Sequence, residues 1–197
     1  MNKLKPIDLT FGAVFVCLMA VGANITVWFP MLAVPIGGTS VPLSLQTFFA
    51  IIAGFMLGKR LGAFAIITYI LIGTAGLPIF AGLQGGPFVL ISPTGGFLIS
   101  FVFVAFFCGW MMEIINKQTI TAYTITAIFG VAINYLFGVS YMYLALNTWL
   151  ELEIGYAIAW AGMIPFLIKD TALSFLSAFF MVQLAKRIPA AWIKAKI

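Results

Sequence analysis

The stretch LGAFAIITYILIGTAGLPIFAGLQGGPFVLISPTGGFLISFVFVAFFCGWMM, residues 61–112, contains no Asp, Glu, Lys or Arg. One helical crossing of a bilayer needs about 20 apolar residues, so this stretch has room for two. Residues 63–71 and 98–109 are apolar on nearly every face, whereas a barrel strand alternates polar and apolar positions. Only an α-helix satisfies the backbone of such a run internally in lipid. The stretch therefore predicts two membrane-spanning helices.

The rest of the chain has the same character. Hydrophobic residues make up 63% and charged residues 8% of its 197 residues, whereas soluble domains are about one quarter charged. A second charge-free stretch, residues 9–58, again has room for two crossings. We therefore expect an all-α integral membrane protein, a bundle of about six transmembrane helices that forms a single domain over residues 1–197. The predicted spans are 9–29, 43–58, 62–80, 94–115, 120–146 and 157–185.

Turn-forming residues separate these spans. Prolines and glycines are concentrated in residues 30–42 and 78–93, and the pair Lys59–Arg60 is expected to form a tight turn between the second and third spans. Pro165, near the start of the sixth span, is expected to begin or kink that helix.

The basic residues predict the orientation. With six spans, nine of them fall on one side, which the positive-inside rule makes the cytoplasmic side, together with both termini. Glu151 and Glu153 fall outside. We therefore expect a multi-pass protein of the cell membrane. Because the basic residues are divided among four short segments, they do not indicate a nucleic-acid partner. The nine residues are Lys3, Lys5, Lys59, Arg60, Lys117, Lys186, Arg187, Lys194 and Lys196.

Residues that commonly carry catalysis are scarce. The chain has no His, and its two cysteines, Cys17 and Cys108, lie in apolar spans, where they are expected to pack rather than react. No phosphate-binding glycine loop of the ATPase type is present, so any ATP hydrolysis must occur on another chain. We expect no enzyme activity, no metal and no cofactor.

One charged pair lies inside a span. Lys169 and Asp170 interrupt the sixth segment, and Asp170 lies 16 residues before Lys186, or about 24 Å along a helix. An embedded carboxylate costs about 2.5–3.5 kcal/mol on insertion scales, which indicates a ligand or ion site. The alternative is that Lys169 reaches the outer interface and Asp170 pairs with a neighbour. If Pro165 began the helix, Asp170 would lie within about two turns of its positive dipole end.

Three uncharged polar residues are further candidates for a binding site. Gln46 lies early in the second span, and Asn134 and Tyr141 are seven residues apart in the fifth span, on one helical face. Amides offer donors and acceptors that suit a ureido, amide or carboxylate group. The alternative role is a hydrogen bond between helices.

Four segments, taken together, resemble a known family. They are VPLSLQTFFAIIAGFMLGKRLGAFAIITYILIGTAGLPIFAG at 41–82, SPTGGF at 92–97, NYLFGVSYMYLAL at 134–146 and IPFLIKDTALSFLSA at 164–178. Their order and spacing resemble the biotin-specific substrate-binding subunit of energy-coupling-factor transporters, the BioY family. The resemblance implies six helices around a pocket that opens to the outer face and binds one biotin. It also implies two kinds of partner, a transmembrane coupling protein and two cytoplasmic ATPase subunits.

The resemblance also assigns roles to residues. Asp170 matches an Asp that contributes to biotin binding, and we expect it to accept hydrogen bonds from the ureido group. Gln46, Asn134 or Tyr141 would complete the polar part of the site, and the loop 79–93 would close over the ligand. Leu173 and Ser92 stand where many members carry Lys and Gly, and Val89 stands where some members carry Arg. Lys169 would replace the missing cation if its helix turns it toward the pocket. The alternatives are another vitamin-like ligand, such as lipoate, or a membrane enzyme that modifies lipids.

A stripe of small residues in the first span, Ala13, Cys17 and Ala20, would let another helix approach closely. In the family that this chain resembles, such a motif contacts the coupling protein. The alternative is that the stripe packs within the subunit.

Overall fold

A computed structural model describes residues 5–36 and 39–187. Lys3, Lys194 and Lys196, which contribute to the predicted orientation, lie outside the described residues. The helices are α1 (Pro6–Ala23), α2 (Ile25–Trp28), α3 (Gln46–Thr74), α4 (Phe88–Ile91), α5 (Gly95–Ile115), α6 (Ile120–Thr148) and α7 (Tyr156–Arg187), with a 3-10 turn at Pro30–Leu32 and two strands, β1 (Ala33–Ile36) and β2 (Thr39–Pro42).

Five of these helices are long and apolar enough to cross a membrane: α1, α3, α5, α6 and α7. Many of their large apolar side chains are exposed, including Leu71, Phe129 and Ile168, as expected of surfaces that contact lipid. The small hairpin is a departure from the predicted all-α fold. Its strands pair antiparallel from Ala33↔Pro42 to Ile36↔Thr39, in a segment whose prolines and branched residues do not favour a helix.

Helix α3 contains two segments that fold back on each other. Gly58 has φ 75° and ψ 173°, a conformation that interrupts the helix and is readily adopted only by glycine. Gln46 Nε2 lies 3.1 Å from Tyr69 Oη, although the two residues would be about 35 Å apart along a straight helix. The reversal therefore occurs at Gly58, immediately before the predicted turn at Lys59–Arg60.

Glycines allow α3 and α5 to pack at close range. A Cβ on Gly54 would lie 2.4 Å from the Ala105 carbonyl oxygen, and one on Gly109 would lie 2.3 Å from the Lys59 nitrogen. The turn after Gly58 is also held by an ion pair, because Lys59 Nζ lies 2.5 Å from Glu113 Oε2. These contacts hold the reversal against α5.

Helix α7 does not begin at Pro165. It begins at Tyr156 and continues through Pro165, so Asp170 lies 14 residues beyond its first residue. Membrane helices tolerate an internal proline when neighbouring groups satisfy the freed carbonyl. The expected stabilisation of Asp170 by the helix dipole is therefore wrong, since that effect fades within the first turn.

Candidate ligand-binding site

A cavity of about 270 Å³ lies among α3, α5, α6, α7 and the loop between α3 and α5. It is slightly smaller than the roughly 300–1,000 Å³ that is typical of ligand sites, which suits a compact molecule. Four aromatic side chains supply much of the apolar wall, and a group of polar side chains lines the remainder. The aromatic residues are Phe80, Phe97, Phe101 and Phe166, and the polar group includes Ser44, Gln46, Thr47, Asn134, Tyr135, Lys169 and Asp170.

Asp170 is the charged centre of this polar group and is only 4% exposed. Its Oδ2 atom accepts hydrogen bonds from Tyr135 Oη at 2.8 Å and Thr47 Oγ1 at 3.0 Å. Its Oδ1 atom is also buried but has no hydrogen-bond donor among the described residues. Lys169 Nζ lies 2.8 Å from Oδ1, close enough for an ion pair, but not in the geometry of a hydrogen bond. Oδ1 is thus compensated in charge but remains available as an acceptor.

Lys169 also lines the cavity, as required of a cation that replaces one missing from the family pattern. Its ammonium group donates to the Ser44 carbonyl oxygen as well as pairing with Asp170. Adjacent helical residues point about 100° apart, so the flexible lysine chain is what brings both charges to one site.

Asn134 and Gln46 lie at the cavity in different hydrogen-bond networks. Asn134 Nδ2 donates to Thr47 Oγ1 at 3.4 Å, and Asn134 Oδ1 accepts from Ser100 Oγ. Asn134 is therefore linked to Asp170 through Thr47. Gln46 Nε2 instead donates to Tyr69 Oη.

Tyr141 does not line the cavity. Its hydroxyl donates to the Leu90 carbonyl oxygen at 2.8 Å, and its ring lies 6.0 Å from that of Trp149. It is about two turns beyond Asn134, or roughly 10 Å along α6, which places it beside the loop. Tyr141 therefore supports the short helix α4, which carries the cavity residue Val89.

Sequence reasoning missed two residues that contact the carboxylate, Tyr135 and Thr47. Each is adjacent to a residue that was singled out, Asn134 and Gln46, but a single sequence does not show which neighbour faces inward. The Tyr135 ring is oriented by an edge-on contact with Phe97, with centroids 5.7 Å apart.

The positions that depart from the family pattern differ in their relation to the cavity. Val89 lines it, whereas Leu173 is absent from its wall. Ser92 Oγ donates to the Val89 carbonyl oxygen at 2.7 Å, within the loop. Lys169 is consequently the single cationic side chain that lines the cavity in the described part of the chain.

The small-residue stripe on α1 is partly open. Ala13 and Cys17 are exposed, and Ala20 is half-buried and packs against the core. The opposite face of α1 is buried through Phe15 and Met19. Internal packing therefore accounts for Ala20 in part and leaves Ala13 and Cys17 uncovered.

The fold and the cavity together indicate a multi-pass membrane protein with an internal cavity lined by polar and aromatic side chains. The chain belongs to the BioY family, whose sequence model matches residues 1–190. This confirms the resemblance drawn from the sequence.

Its relatives are named as transporters, in agreement with the expectation that the chain is no enzyme. A "putative biotin transporter BioYB" of Bacillus subtilis is 40% identical over 187 residues, which cover 95% of this chain and 92% of the relative. A "biotin transporter BioY" of Thermotoga maritima is 35% identical over 179 residues, which cover 91% and 96%.

A solved structure shares the fold. The S-component for biotin from an ECF-type ABC transporter superposes with a TM-score of 0.69 and covers 93% of this chain and 95% of its own. The two chains are 22% identical, so this match concerns the fold.

Proposed function

We propose that this protein is the substrate-binding subunit that captures biotin from the outer face of the membrane for uptake driven by ATP hydrolysis on partner chains. One observation carries the proposal: Oδ1 of Asp170 is buried at the wall of a small cavity, where Lys169 pairs with its charge but no residue of 5–36 or 39–187 donates a hydrogen bond to it. A ligand that brings N–H groups to this oxygen removes the cost of the unsatisfied acceptor.

Biotin has the groups that this cavity accommodates. Its ureido ring carries two N–H donors and a carbonyl, and its bicyclic body is largely apolar. The ureido N–H groups would reach Asp170 Oδ1, while the aromatic wall would pack against the bicycle. Because Tyr135 and Thr47 already hold Oδ2, Asp170 is oriented before the ligand arrives, which reduces the entropic cost of binding.

Lys169 would recognise the carboxylate of biotin, and because Lys169 Nζ and Asp170 Oδ1 are 2.8 Å apart, the valeryl tail would fold back toward the ureido ring. An ammonium has three donors; one of them is engaged by Ser44, and the charge is also paired with Asp170. With Val89 and Leu173 in place of the cations that the family often carries, this ammonium is the available counter-ion for an acidic tail.

The proposed topology has six crossings with both termini in the cytoplasm. The reversal at Gly58 supports counting α3 as two crossings. With that count, Lys5, Lys59, Lys117 and Arg187 all lie on the cytoplasmic side, and the loop that carries Phe80 lies on the outer side.

The proposed partners are a transmembrane coupling protein and two cytoplasmic ATPase subunits. Ala13 and Cys17, exposed on α1, support a docking surface with Ala20 at its edge. Close helix approach across small residues is a common mode of association in lipid.

Calorimetric titration of the purified, ligand-free protein with biotin and with lipoate tests the proposal. We expect one biotin to bind per chain and lipoate to bind much more weakly or not at all. Binding of lipoate without biotin would overturn the specificity and leave a vitamin-binding role. If a folded preparation binds neither compound, the proposed function is wrong.

A further inference from the structure

Asn24 connects the end of α1 to the loop beyond α3 but does not line the cavity. Its Nδ2 atom donates to the carbonyl oxygens of Ala20 at 3.0 Å and Ile79 at 3.2 Å. Its Oδ1 atom accepts from the backbone nitrogen of Leu83 at 2.7 Å. The side chain is 2% exposed, so these bonds satisfy an amide that has little access to water.

The loop segment that Asn24 holds forms part of the cavity wall. Phe80, Ala81 and Gln84 line the cavity, and Phe80 and Gln84 are joined by a backbone hydrogen bond of 3.0 Å. Asn24 bonds the carbonyl group of Ile79 and the amide group of Leu83. These two groups lie on either side of Phe80 and Ala81 in the sequence. Asn24 thus fixes the backbone on both sides of two wall residues.

Leu83 needs such a restraint. Its φ of 57° lies in the left-handed region, which is unfavourable for a residue with a branched side chain beyond Cβ. Conformations of this kind persist where surrounding contacts impose them. The bond from Leu83 N–H to Asn24 is one contact of this kind.

The same anchor is linked to the cavity by a second route. The Ile79 carbonyl oxygen also accepts from Tyr69 Oη at 3.0 Å, and Tyr69 Oη accepts from the cavity residue Gln46. Asn24 and Tyr69 therefore hold one carbonyl from two sides.

We propose that Asn24 is a positioning residue that latches the loop 79–84 over the occupied cavity and so sets the rate at which ligand leaves. This inference rests on the proposed function for its ligand. Because Asn24 makes these bonds in the structure without ligand, the loop must open for entry as well as for release, so loss of the latch should accelerate both steps.

The decisive experiment compares Asn24→Ala with Asn147→Ala. Asn147 makes bonds of the same kind at the end of α6, to the Tyr143 carbonyl at 2.9 Å and the Ile154 carbonyl at 3.0 Å. Its loop, residues 149–155, contributes no residue to the cavity wall. The control therefore removes a matched side chain that holds a different loop.

In a chase of bound labelled biotin, Asn24→Ala should accelerate dissociation about 5- to 50-fold, as expected for losing the two part-buried hydrogen bonds from Asn24 to the loop. Its association rate should also rise, by no more than this factor, because the loop must open for entry as well. Asn147→Ala should leave both rates unchanged. Unaltered dissociation from folded Asn24→Ala, or an equal acceleration in Asn147→Ala, would overturn the proposal.

Two further variants separate a latch from a general loss of stability. Leu83→Gly in the Asn24→Ala background should recover part of the slow dissociation, because glycine adopts the positive φ without strain. If Asn24→Ala does not fold, Asn24→Ser replaces it. Its hydroxyl can satisfy the Ala20 carbonyl one turn earlier but is too short to hold the loop, so the same acceleration is expected.

Amide hydrogen exchange tests the latch without biotin. In the ligand-free protein, Asn24→Ala should speed exchange in residues 79–86 and leave residues 149–155 unchanged. If the wild-type protein binds no biotin but shows this pattern, the proposed function fails and the latch stands. Unchanged exchange in residues 79–86 would show that Asn24 does not hold the loop.

Discussion

Tyr135 and Asp170 lie 35 residues apart in the sequence and are joined by a hydrogen bond of 2.8 Å from the phenol to Oδ2 of the carboxylate. Thr47 donates a second bond to the same oxygen. Both donors approach one side of the carboxylate, and the other oxygen, Oδ1, pairs with Lys169 Nζ at 2.8 Å but accepts no hydrogen bond from the described residues. The orientation of the proposed ligand acceptor is therefore set by two residues on other helices.

Asp170→Asn should weaken biotin binding about 10- to 150-fold, the range expected for losing a hydrogen bond to a charged group. The NH₂ group of the new asparagine is a donor, and it would face either the ligand N–H groups or the hydroxyl groups of Tyr135 and Thr47, which are donors too. Glu113→Gln is the matched control, since Glu113 pairs with Lys59 outside the cavity. Titration calorimetry measures both, and equal affinities for wild type and folded Asp170→Asn would contradict the assignment.

Tyr135→Phe should weaken binding by a smaller factor, about 3- to 10-fold. The bond to Asp170 exists in the structure without ligand, so most of its energy contributes to folding rather than binding. In the variant, the carboxylate of Asp170 is held less firmly, so Oδ1 no longer points in a fixed direction toward the ligand. Tyr143→Phe, on the same helix but away from the cavity wall, should bind biotin normally. A loss as large in Tyr143→Phe as in Tyr135→Phe would point to a general effect on α6.

Lys169→Met should remove the preference of the protein for biotin over biotin methyl ester. If the ammonium pairs with the ligand carboxylate, wild type binds the acid more tightly, and the variant binds acid and ester alike. Lys59→Met should retain the preference, because Lys59 lies at the Gly58 turn. Competition binding with the two compounds measures the ratio of the affinity for biotin to the affinity for its methyl ester. If Lys169→Met still prefers the acid, Lys169 interacts with Asp170 and Ser44 and does not bind the ligand carboxylate.

Ala13→Trp should abolish copurification with the coupling protein and its ATPases. The indole would prevent close approach at the exposed stripe, while biotin binding by the isolated subunit should remain, because Ala13 is absent from the cavity wall. Val14→Trp is the control, since Val14 is also exposed but points about 100° away. Loss of binding and docking together in Ala13→Trp would place the stripe in the internal core.

Gly58→Ala should destabilise the protein by about 1–3 kcal/mol, because the backbone there is strained for any residue with a Cβ. Gly162→Ala should be neutral or stabilising, since a Cβ on Gly162 would meet no atom within 4 Å and α7 is helical there. The two variants are compared by their apparent midpoints of thermal unfolding in detergent. Equal midpoints would mean that the reversal does not require glycine at position 58.

Much of the fold could be predicted from the sequence. The predicted spans 94–115 and 120–146 became Gly95–Ile115 and Ile120–Thr148, and the reversal occurs one residue before the predicted turn. Hydropathy is summed along contiguous residues, so a single sequence contains it. The charged pair Lys169 and Asp170 could also be recognised in the sequence, because a charge inside an apolar segment is costly and therefore rare.

The partners of those charges were decided by tertiary structure. Tyr135, Thr47 and Asn24 act through bonds to residues at least 35 positions away, and which neighbour faces inward depends on how each helix is rotated against the others. Tyr141 shows the same limit: it lies seven residues after Asn134 on one helix, but its distance along α6 puts it beside the loop. Hydropathy places a segment in the membrane, whereas a hydrogen bond depends on direction and separation in three dimensions, which only the packed helices determine.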